Sequence, residues 1–334
     1  MARDEGRDGK AHASAVLAVL DLGSNNCRLL IARAARDGSF RVFDSFSRIV
    51  RLGEGVAQTG RLADAAIART LDALGVCAER IRAAGATHVR AIATAACRGA
   101  SNASELVERV RAQTGLVLEI VTAEEEARLA AIGCAPLIGR AYDGALVFDI
   151  GGGSTELIWM RREHGAARVI HSASLAVGVV SLAEEVGAEE AGAMDAAAFA
   201  AMRERLIARF QEVRAAMDAK GSFVPQRNHL LGTSGTVTTL AAVSLGLERY
   251  VRSRVDGSWH ECAEILTVVE RLIALDHDGR AAIGPIGPDR ADLVLPGCAE
   301  FAAIVALWPC AQLRVADRGL REGMLRELMS EAFA

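Results

Sequence analysis

The feature that most constrains this chain is a strand-and-turn motif that occurs twice. An apolar run ends in aspartate, glycine and small polar residues at 16–26, and the same plan returns at 145–156. In both copies the glycine-rich turn leads directly into a second strand-like segment, so each turn joins a β-hairpin. The sequence therefore predicts two halves of related architecture, and it excludes a Rossmann or Walker loop at either turn, because those loops open a helix.

Helices and strands alternate after each hairpin. The first half continues with strands at 40–50, 88–93 and 116–122 and with helices at 64–84 and 123–134. The second half continues with strands at 169–175, 229–231 and 312–316 and with helices at 195–219, from Thr236, from Glu261, at 289–307 and at the C-terminus. Two three-stranded meanders, each followed by such an alternation, predict an α/β protein of two domains with mixed sheets and a cleft between them.

Length and charge narrow the function classes. A chain of 334 residues has room for about two domains, and its net charge of −4 provides no global attraction to nucleic acid or to an anionic membrane. The seven cysteines include no C-x-x-C pair, which is typical of reduced thiols in a cytoplasmic protein. Asp21 ends the apolar run at 13–20 before it could serve as a signal peptide or a membrane span. We therefore expect a cytoplasmic protein with a loose tail over residues 1–14.

Three glycine-rich turns indicate phosphate binding. Glycines let backbone N–H groups converge on an anion, and Ser or Thr hydroxyls add further donors. The third turn, at 232–236, also precedes a predicted helix, so its amides gain from a helix N-terminus. Ordinary tight turns are the alternative, but three such turns at strand ends favour phosphate. The candidate residues are Ser24, Asn25, Asn26, Gly151, Gly152, Gly153, Ser154, Gly232, Ser234, Gly235 and Thr236.

Three acidic residues lie at or near these turns. Asp21 and Asp149 end their strands, and Glu156 follows the second turn closely. Carboxylate oxygens beside a phosphate site suit Mg²⁺, which usually takes one or two protein carboxylates and completes its shell with water and substrate oxygens. An aspartate at a strand end is also a common turn residue, so either aspartate alone leaves both interpretations open.

Glu126 is the candidate general base. Thr122 and Glu125 match a capping box, and Glu124 can pair with Arg128, so the other two glutamates of this run have structural roles. Glu126 instead lies on the apolar face of the predicted helix, at the junction of the two halves. A carboxylate in that position is either a costly buried group or a base with raised proton affinity, and we interpret it as the base.

Thr94, Arg98 and Arg28 are further candidate phosphate contacts. Thr94 is a plausible N-cap, and Arg98 follows in the first helical turn, where a cation opposes the helix dipole unless an anion offsets it. A solvated arginine is the alternative. Arg28 follows the first turn, and strand alternation alone leaves its face undecided. The arginines at 249–254 could contact a polyanion, although a solvated surface explains them more simply.

These motifs together resemble the exopolyphosphatase and guanosine pentaphosphate phosphohydrolase family, within the superfamily of actin-like ATPases, heat-shock ATPases and sugar kinases. The similarity covers nearly the whole chain from about Val16. It rests on the ordered motifs DLGSNNCRL at 21–29, RLGEG at 51–55, ATAACR at 93–98, EEARL at 125–129, DIGGGSTE at 149–156, SLAVG at 174–178, GTSGT at 232–236 and DRGLREG at 317–323.

The resemblance implies two ribonuclease-H-like domains, at 15–123 and 124–318, with the final helix at 319–334 returning to the first. It also implies hydrolysis of a terminal phosphoanhydride with Mg²⁺. By similarity, Glu126 activates water, Asp149 and Glu156 are linked to the metal, and the glycine-rich turns cradle phosphate.

Two departures from the family pattern stand in the sequence. Asn26 and Cys27 occupy positions where members often have serine and a bulkier apolar residue. The chain also ends near residue 334, where longer members continue into a helical domain, so we expect a short form with shorter or different substrates.

The expected function is an exopolyphosphatase acting on inorganic polyphosphate. A guanosine pentaphosphate (pppGpp) 5′-phosphohydrolase and a non-catalytic (p)ppGpp-sensing regulator are the alternatives. A homodimer without nucleic-acid or membrane partners is expected.

Overall fold

Two mixed sheets form the framework of this protein. The computed structural model describes residues 14–36, 38–187 and 194–333, so the predicted tail lies almost wholly outside the described residues. The eleven strands of the described part are β1 (Ser14–Leu22), β2 (Asn26–Ala35), β3 (Phe40–Ile49), β4 (His88–Ala93), β5 (Leu118–Ile120), β6 (Gly144–Ile150), β7 (Thr155–Glu163), β8 (Ala166–Leu175), β9 (Asn228–Thr233), β10 (Trp259–Glu261) and β11 (Gln312–Val315).

The helices lie on the sheet faces and connect the strands. They are α1 (Val56–Thr59), α2 (Asp64–Ala83), α3 (Ala95–Gly99), α4 (Ala103–Thr114), α5 (Ala123–Cys134), α6 (Val179–Val186), α7 (Ala196–Lys220), α8 (Ser234–Ser244), α9 (Arg252–Val255), α10 (Cys262–Ile273), α11 (His277–Ala281), α12 (Val294–Leu307) and α13 (Leu320–Ala332). Among them, none is both long enough and apolar enough to cross a membrane.

Both sheets begin with the predicted three-stranded meander. The first sheet has the order β3-β2-β1-β4-β5, and the second has the order β10-β11-β9-β6-β7-β8. Strands β1, β2 and β3 pair antiparallel, as do β6, β7 and β8, whereas β4 and β9 lie parallel to the first strand of their meander. This confirms the predicted mixed sheets.

Strands β1 and β6 are apolar up to Asp21 and Asp149 near their carboxyl ends, because helices or neighbouring elements cover both faces of their sheets. In β1, Leu20 packs toward α2, whereas Leu17 and Val19 pack toward α13. In β6, Phe148 faces the large core built on α7, α8 and α12, and Val147 faces α5. The carboxyl ends of β1 and β6 therefore emerge from buried strands, which places their polar residues at the sheet edge.

Helices α5 and α13 lie side by side between the sheets. Ala127 and Ala130 of α5 pack on the second sheet, while Met324 and Leu325 of α13 pack on the first. Glycines make the close approach of these helices possible. A Cβ atom added at Gly323 would lie 2.0 Å from the Leu129 carbonyl oxygen. The C-terminal helix thus returns to the first sheet, although the domain limits at residues 123 and 318 stay a prediction.

Several element boundaries differ from the predictions. Helix α12 begins at Val294, after residues 289–293, and α8 begins at Ser234, two residues before Thr236. Strand β5 is limited to three residues, because only Leu118–Ile120 pair with β4. Helix α12 is buried along most of its length, so its apolar composition reflects core packing.

Candidate active site

The two repeated turns meet at the junction of the sheets. A Cβ atom added at Gly153 would lie 2.6 Å from the Ser24 hydroxyl oxygen, and one added at Gly152 would lie 3.2 Å from the Asn25 backbone nitrogen. The close approach of the two turns thus leaves no room for a side chain at Gly153 unless Ser24 moves, and only a tight fit for one at Gly152. The repeat predicted from sequence brings its two copies face to face.

A cleft of about 480 Å³ opens at this junction. Its walls come from both sheets, from the first turn of α5 and from the segment that precedes α13. Predicted site residues on its walls are Asp21, Ser24, Asn25, Asn26, Arg28, Thr94, Glu126, Asp149, Gly151, Gly152, Gly153, Ser154, Glu156, Ser234 and Gly235. Most of the residues selected from the sequence thus share one cavity.

Strand register pairs the acids with specific partners. Asp21 lies directly opposite Arg28 in the first hairpin, and Asp149 lies directly opposite Glu156 in the second. Residues directly opposite one another in an antiparallel pair project from the same face of the sheet. The register therefore resolves the undecided orientation of Arg28, which lies on the cleft wall with Asp21.

Burial and mutual repulsion raise the pKa values of the acids in the second hairpin. The pKa of Asp149 rises to about 6, mainly through burial, with Arg28 opposing and Asp21 adding to the rise. The pKa of Glu156 rises well above its usual value through burial and through the negative charges of Glu126 and Asp149. The Ser174 hydroxyl donates to the Glu156 carboxylate at 2.8 Å. Burial and neighbouring negative charges therefore favour the protonated forms of both acids.

Glu126 lies in the first turn of α5, where Thr122 caps the helix by accepting from the Glu125 backbone N–H. Only 13% of the Glu126 side chain is exposed, and burial raises its pKa to about 7. The Arg98 guanidinium counters this rise by donating to the Glu126 carboxylate at 2.6 Å. Glu126 is therefore a carboxylate on the cleft wall that exchanges protons near neutral pH.

Arg98 differs from its prediction as a first-turn phosphate contact. It lies in the last turn of α3, and its guanidinium donates to the Val121 carbonyl as well as to Glu126. It is not among the residues that line the cleft. Helix α3 begins directly after Thr94, and the Thr94 side chain makes no capping hydrogen bond. The structure thus shows Arg98 as the partner of Glu126.

The third turn combines a strained backbone with an acid contact. Ser234 has a φ of 73°, a conformation that non-glycine residues adopt rarely and often at functional sites. Its hydroxyl donates to the Asp149 carboxylate. This turn therefore connects β9 and α8 to the acid that ends β6.

Two residues of that turn do not line the cleft. Gly232 lies under the turn, where an added Cβ would be 2.6 Å from the Phe148 ring and 2.7 Å from the Val237 side chain. Thr236 faces a small side cavity, and its hydroxyl lies against Gly297 of α12. Close packing explains the need for Gly232, so the proposed phosphate cradle at this turn is formed by Ser234 and Gly235.

Two other roles expected from the sequence differ in detail. Arg128 pairs with Glu125, at 2.7 Å, rather than with Glu124. Among the residues that the structure describes, no three His, Cys, Asp or Glu side chains converge closely enough to form a ready-made metal cage. The assignment of Asp21, Asp149 and Glu156 to a metal stays a prediction.

Two arginines that were not predicted as site residues, Arg290 and Arg321, lie on the cleft wall. Burial lowers the pKa of both, and the charge of Arg28 lowers each further. Within the described ranges, none of these three arginines forms an ion pair with a carboxylate. Arg321 belongs to the DRGLREG motif at 317–323, so the sequence contained a signal that this arginine is near the site. Arg290 was placed inside a predicted helix, which concealed its position.

Further cleft residues lie around Asp317, which belongs to the segment that connects the second sheet to α13. Arg252, which the sequence placed on a solvated surface, donates to the Asp317 backbone carbonyl and, at 2.9 Å, to Glu322. Tyr250 donates to the Asp317 carboxylate at 2.7 Å. Arg252, Asp317 and Tyr250 all line the cleft, so this wall carries both signs of charge.

Comparison with known proteins identifies the chain. Residues 30–332 match the Ppx/GppA phosphatase family, which covers most of the protein. The chain belongs to that family. Exopolyphosphatase 2 of Mycobacterium tuberculosis is 33% identical over 288 residues, covering 83% of this chain and 86% of that protein. This membership confirms the predicted family and the predicted enzyme class, a phosphoanhydride hydrolase.

Other relatives carry a second name and the same fold. Guanosine-5′-triphosphate,3′-diphosphate pyrophosphatase of Vibrio vulnificus is 29% identical over 96% of this chain, which spans 61% of that protein. The crystal structure of the Aquifex aeolicus Ppx/GppA family member has a TM-score of 0.75 at 28% identity and covers 96% of this chain and 100% of that chain. An exopolyphosphatase-like protein has a TM-score of 0.82 at 25% identity over 96% of this chain and 99% of that one. The predicted actin-like fold class is thereby confirmed.

Proposed function

We propose that this protein removes the terminal phosphate from inorganic polyphosphate by hydrolysis. The observation that carries the proposal is the convergence on one cleft of Glu126, the Asp149–Glu156 pair and glycine-rich turns from both sheets. Exopolyphosphatase is also the name of the Mycobacterium tuberculosis relative. The remaining steps assign roles to the residues of the cleft.

Glu126 acts as the general base. Its carboxylate lies on the cleft wall, and its pKa near 7 allows it to accept a proton from water at neutral pH. The Arg98 contact orients the carboxylate and holds its proton affinity below what burial alone would produce. As Glu126 takes the proton, the water oxygen bonds to the terminal phosphorus and the bond from that phosphorus to the bridging oxygen breaks. The shortened polyphosphate chain departs with the bridging oxygen, and the attacked group is released as orthophosphate.

The turns and arginines hold the substrate anion. Backbone N–H groups of Gly152, Gly153 and Gly235, with the hydroxyls of Ser24 and Ser234, would surround the terminal phosphoryl group. Arg28, Arg290 and Arg321 supply positive charge on the cleft wall and form no direct ion pair within the described residues, so they suit the remaining phosphates. Phosphoryl transfer depends chiefly on such positioning and charge stabilisation, since the reaction requires little covalent assistance from the protein.

Asp149 and Glu156 would hold a divalent cation, for which we propose Mg²⁺. The fit rests on two buried carboxylates facing the same side of one hairpin, where the charge of Asp149 raises the pKa of Glu156, because a cation relieves that repulsion. Two protein carboxylates are a usual number for Mg²⁺. When bound, Mg²⁺ neutralises charge on the transferred group. Asp21 lines the same cleft, adds to the negative charge around Asp149 and would support the cation through bound water.

Hydrolysis of pppGpp is the second candidate, because the Vibrio vulnificus relative that covers most of this chain bears that activity in its name. Phosphate release should be measured from polyphosphate and from pppGpp with purified protein, with Glu126→Gln as the inactive control. A higher kcat/KM for polyphosphate supports the proposal. Tight (p)ppGpp binding without phosphate release from either compound would instead establish a sensing regulator.

The proposal includes a cytoplasmic enzyme that forms a homodimer. Support for the reducing compartment comes from the cysteines, since all seven are free and buried in the described structure. Light scattering of the purified protein measures the oligomeric state, and a mass of one chain would contradict the dimer.

A further inference from the structure

A pocket lined by three arginines lies on the second sheet, beyond the C-terminal end of α5. Arg140, Arg162 and Arg314 line it, and its volume is about 480 Å³. The rest of its wall consists of small and apolar residues from 135–138, Gly165 and Ala167. No acidic residue lines the pocket. We name it the arginine pocket.

Two of its guanidinium groups are held in place by backbone carbonyls. Arg314 donates to Leu137 at 2.8 Å and to Gly257 at 3.2 Å, and its guanidinium stacks over the Trp259 ring at 5.1 Å. Arg162 donates to Ile138 at 2.7 Å through one terminal nitrogen. These contacts fix the direction of both side chains while leaving other N–H groups available, so an anion would bind with little loss of side-chain entropy.

The arginines of the pocket have no direct ion-pair partners within the described residues, and Asp256 acts on Arg314 only without such a contact. In the described part of the chain, Arg140, Arg162 and Arg314 form no ion pair, whereas arginines at many other positions do. The field extends inward to His229, whose pKa falls to about 4 through burial and through the charges of Arg314 and Arg162. Arg140 is exposed and lines the pocket, and its side chain forms no ion pair with the residues that the structure describes.

We infer that the arginine pocket is a second phosphate-binding site, separate from the catalytic cleft, that takes the oxyanion groups of orthophosphate or of a short linear polyphosphate. Three guanidinium groups match phosphoryl oxygens in charge and in hydrogen-bond geometry. The inference rests on the proposed function only for the identity of the phosphate compounds, because the pocket itself is defined by charge and shape.

The position of the pocket relative to α5 connects it to the cleft. Glu126 lies in the first turn of α5, and the turn that follows the helix, at 135–137, contributes to the pocket wall. Strand β11 carries Arg314 and leads directly to Asp317 and Arg318 on the cleft wall. A ligand in the arginine pocket would therefore contact both elements that support the catalytic residues.

Isothermal titration calorimetry tests the inference by counting sites. Sodium tripolyphosphate and orthophosphate are titrated separately into the full chain carrying Glu126→Gln, which suppresses hydrolysis. We expect two equivalents to bind, and Arg140→Gln added to that chain should weaken one of them about tenfold, because one charged contact is lost. Arg205→Gln, at an exposed position of α7 in the same half of the chain, is the matched control and should leave both unchanged.

The outcomes separate this inference from the proposed function. A second site that favours tripolyphosphate identifies the substrate chain as its ligand, and one that favours orthophosphate identifies the product. A single equivalent for both compounds, or two equivalents that Arg140→Gln leaves intact, overturns the second site even if the enzyme hydrolyses polyphosphate. Absence of hydrolysis in the unmodified chain would overturn the proposed function and leave the count of sites valid.

Discussion

The Arg98 guanidinium donates to the Glu126 carboxylate at 2.6 Å. This contact joins α3, the helix that follows β4 of the first sheet, to the first turn of α5. Burial disfavours a charged Glu126, and Arg98 favours it. The balance leaves the carboxylate near its midpoint of protonation at neutral pH. A base with that property accepts a proton readily without being permanently protonated.

Replacing Glu126 tests its role in catalysis. Glu126→Gln preserves the size of the side chain and removes the base, so kcat for phosphate release should fall by roughly 100- to 10,000-fold. Glu124→Gln is the matched control, since Glu124 lies in the same helical turn but is exposed. Steady-state assays on polyphosphate, with circular dichroism to verify folding, decide the matter. Retention of most activity by Glu126→Gln would remove Glu126 from the mechanism.

Activity should depend on pH through the protonation of Glu126. The base must be unprotonated to act, and its pKa is raised to about 7, so kcat/KM should decline as the pH falls below about 7. Arg98→Gln removes the charge that lowers this pKa, so the decline should move to higher pH. Arg109→Gln changes a partly exposed arginine of α4 that pairs with Glu105, so it should leave the pH profile unchanged. A profile that Arg98→Gln does not move would contradict the coupling between the two residues.

Metal removal should reversibly abolish turnover. Dialysis against EDTA is expected to stop phosphate release, and added Mg²⁺ should restore it. Asp149→Asn removes one negative charge from the proposed ligand pair, so it should raise the Mg²⁺ concentration required for half-maximal activity by about tenfold or more. Asp143→Asn, which changes a surface carboxylate at the other end of β6, is the control. Full activity in the presence of EDTA would exclude the cation from the mechanism.

A buried acid should make stability depend on pH. Glu300 on α12 is fully buried, it accepts from the Thr155 hydroxyl, and burial raises its pKa to about 8 from a usual 4.5. The unfolded chain loses this proton at lower pH than the folded chain, so the contribution of Glu300 to stability is largest in acid and declines as pH rises from about 5 to 8.

Glu300→Gln should remove that decline, which is on the order of 1 kcal/mol per pH unit. The amide can still accept from Thr155 and has no charge to desolvate. Urea unfolding at several pH values measures the difference between the two proteins. Glu212→Gln, at an exposed position of α7, should leave the slope of the parent protein unaltered. Parallel pH dependences for Glu300→Gln and the parent would show that Glu300 is ionised in the folded state.

The glycine contact between α5 and α13 should be sensitive to a single methyl group. In Gly323→Ala the new Cβ would lie 2.0 Å from the Leu129 carbonyl oxygen, so the helices must separate. We expect a loss of about 1–3 kcal/mol in the free energy of unfolding. Because α5 carries Glu126, kcat should also fall, by roughly 10- to 100-fold.

Gly75→Ala provides the matched comparison for that experiment. Gly75 lies inside α2, and an added Cβ there would meet no atom within 4 Å. Alanine should therefore stabilise the protein by about 0.5–1 kcal/mol, since it restricts the unfolded chain and favours the helix. Thermal and urea unfolding of both variants, with activity measured below both transitions, compare the two effects. Equal stability changes would show that the contact between α5 and α13 is not tight.

The elements and the acidic residues of this site could be predicted from the sequence. Apolar runs that end in aspartate and glycine placed Asp21 and Asp149 at the ends of buried strands, and the short second turn placed Glu156 near the same space; the structure adds the register that sets Glu156 opposite Asp149. Helical periodicity singled out Glu126 from its neighbours. Each of these inferences uses only residues close together in the chain, because hydrophobic period and turn chemistry are local properties.

The partners of these residues were decided by the tertiary structure. Arg98 contacts Glu126 although its position in a short helix suggested phosphate, and Arg290 and Arg321 reach the cleft from segments far from either hairpin. Glycine at 153 is required by a serine in the other half of the chain. A linear pattern determines which face of an element is apolar. It does not determine which charges meet when two sheets pack together, because electrostatic energies depend on distances and burial that exist only in the folded chain.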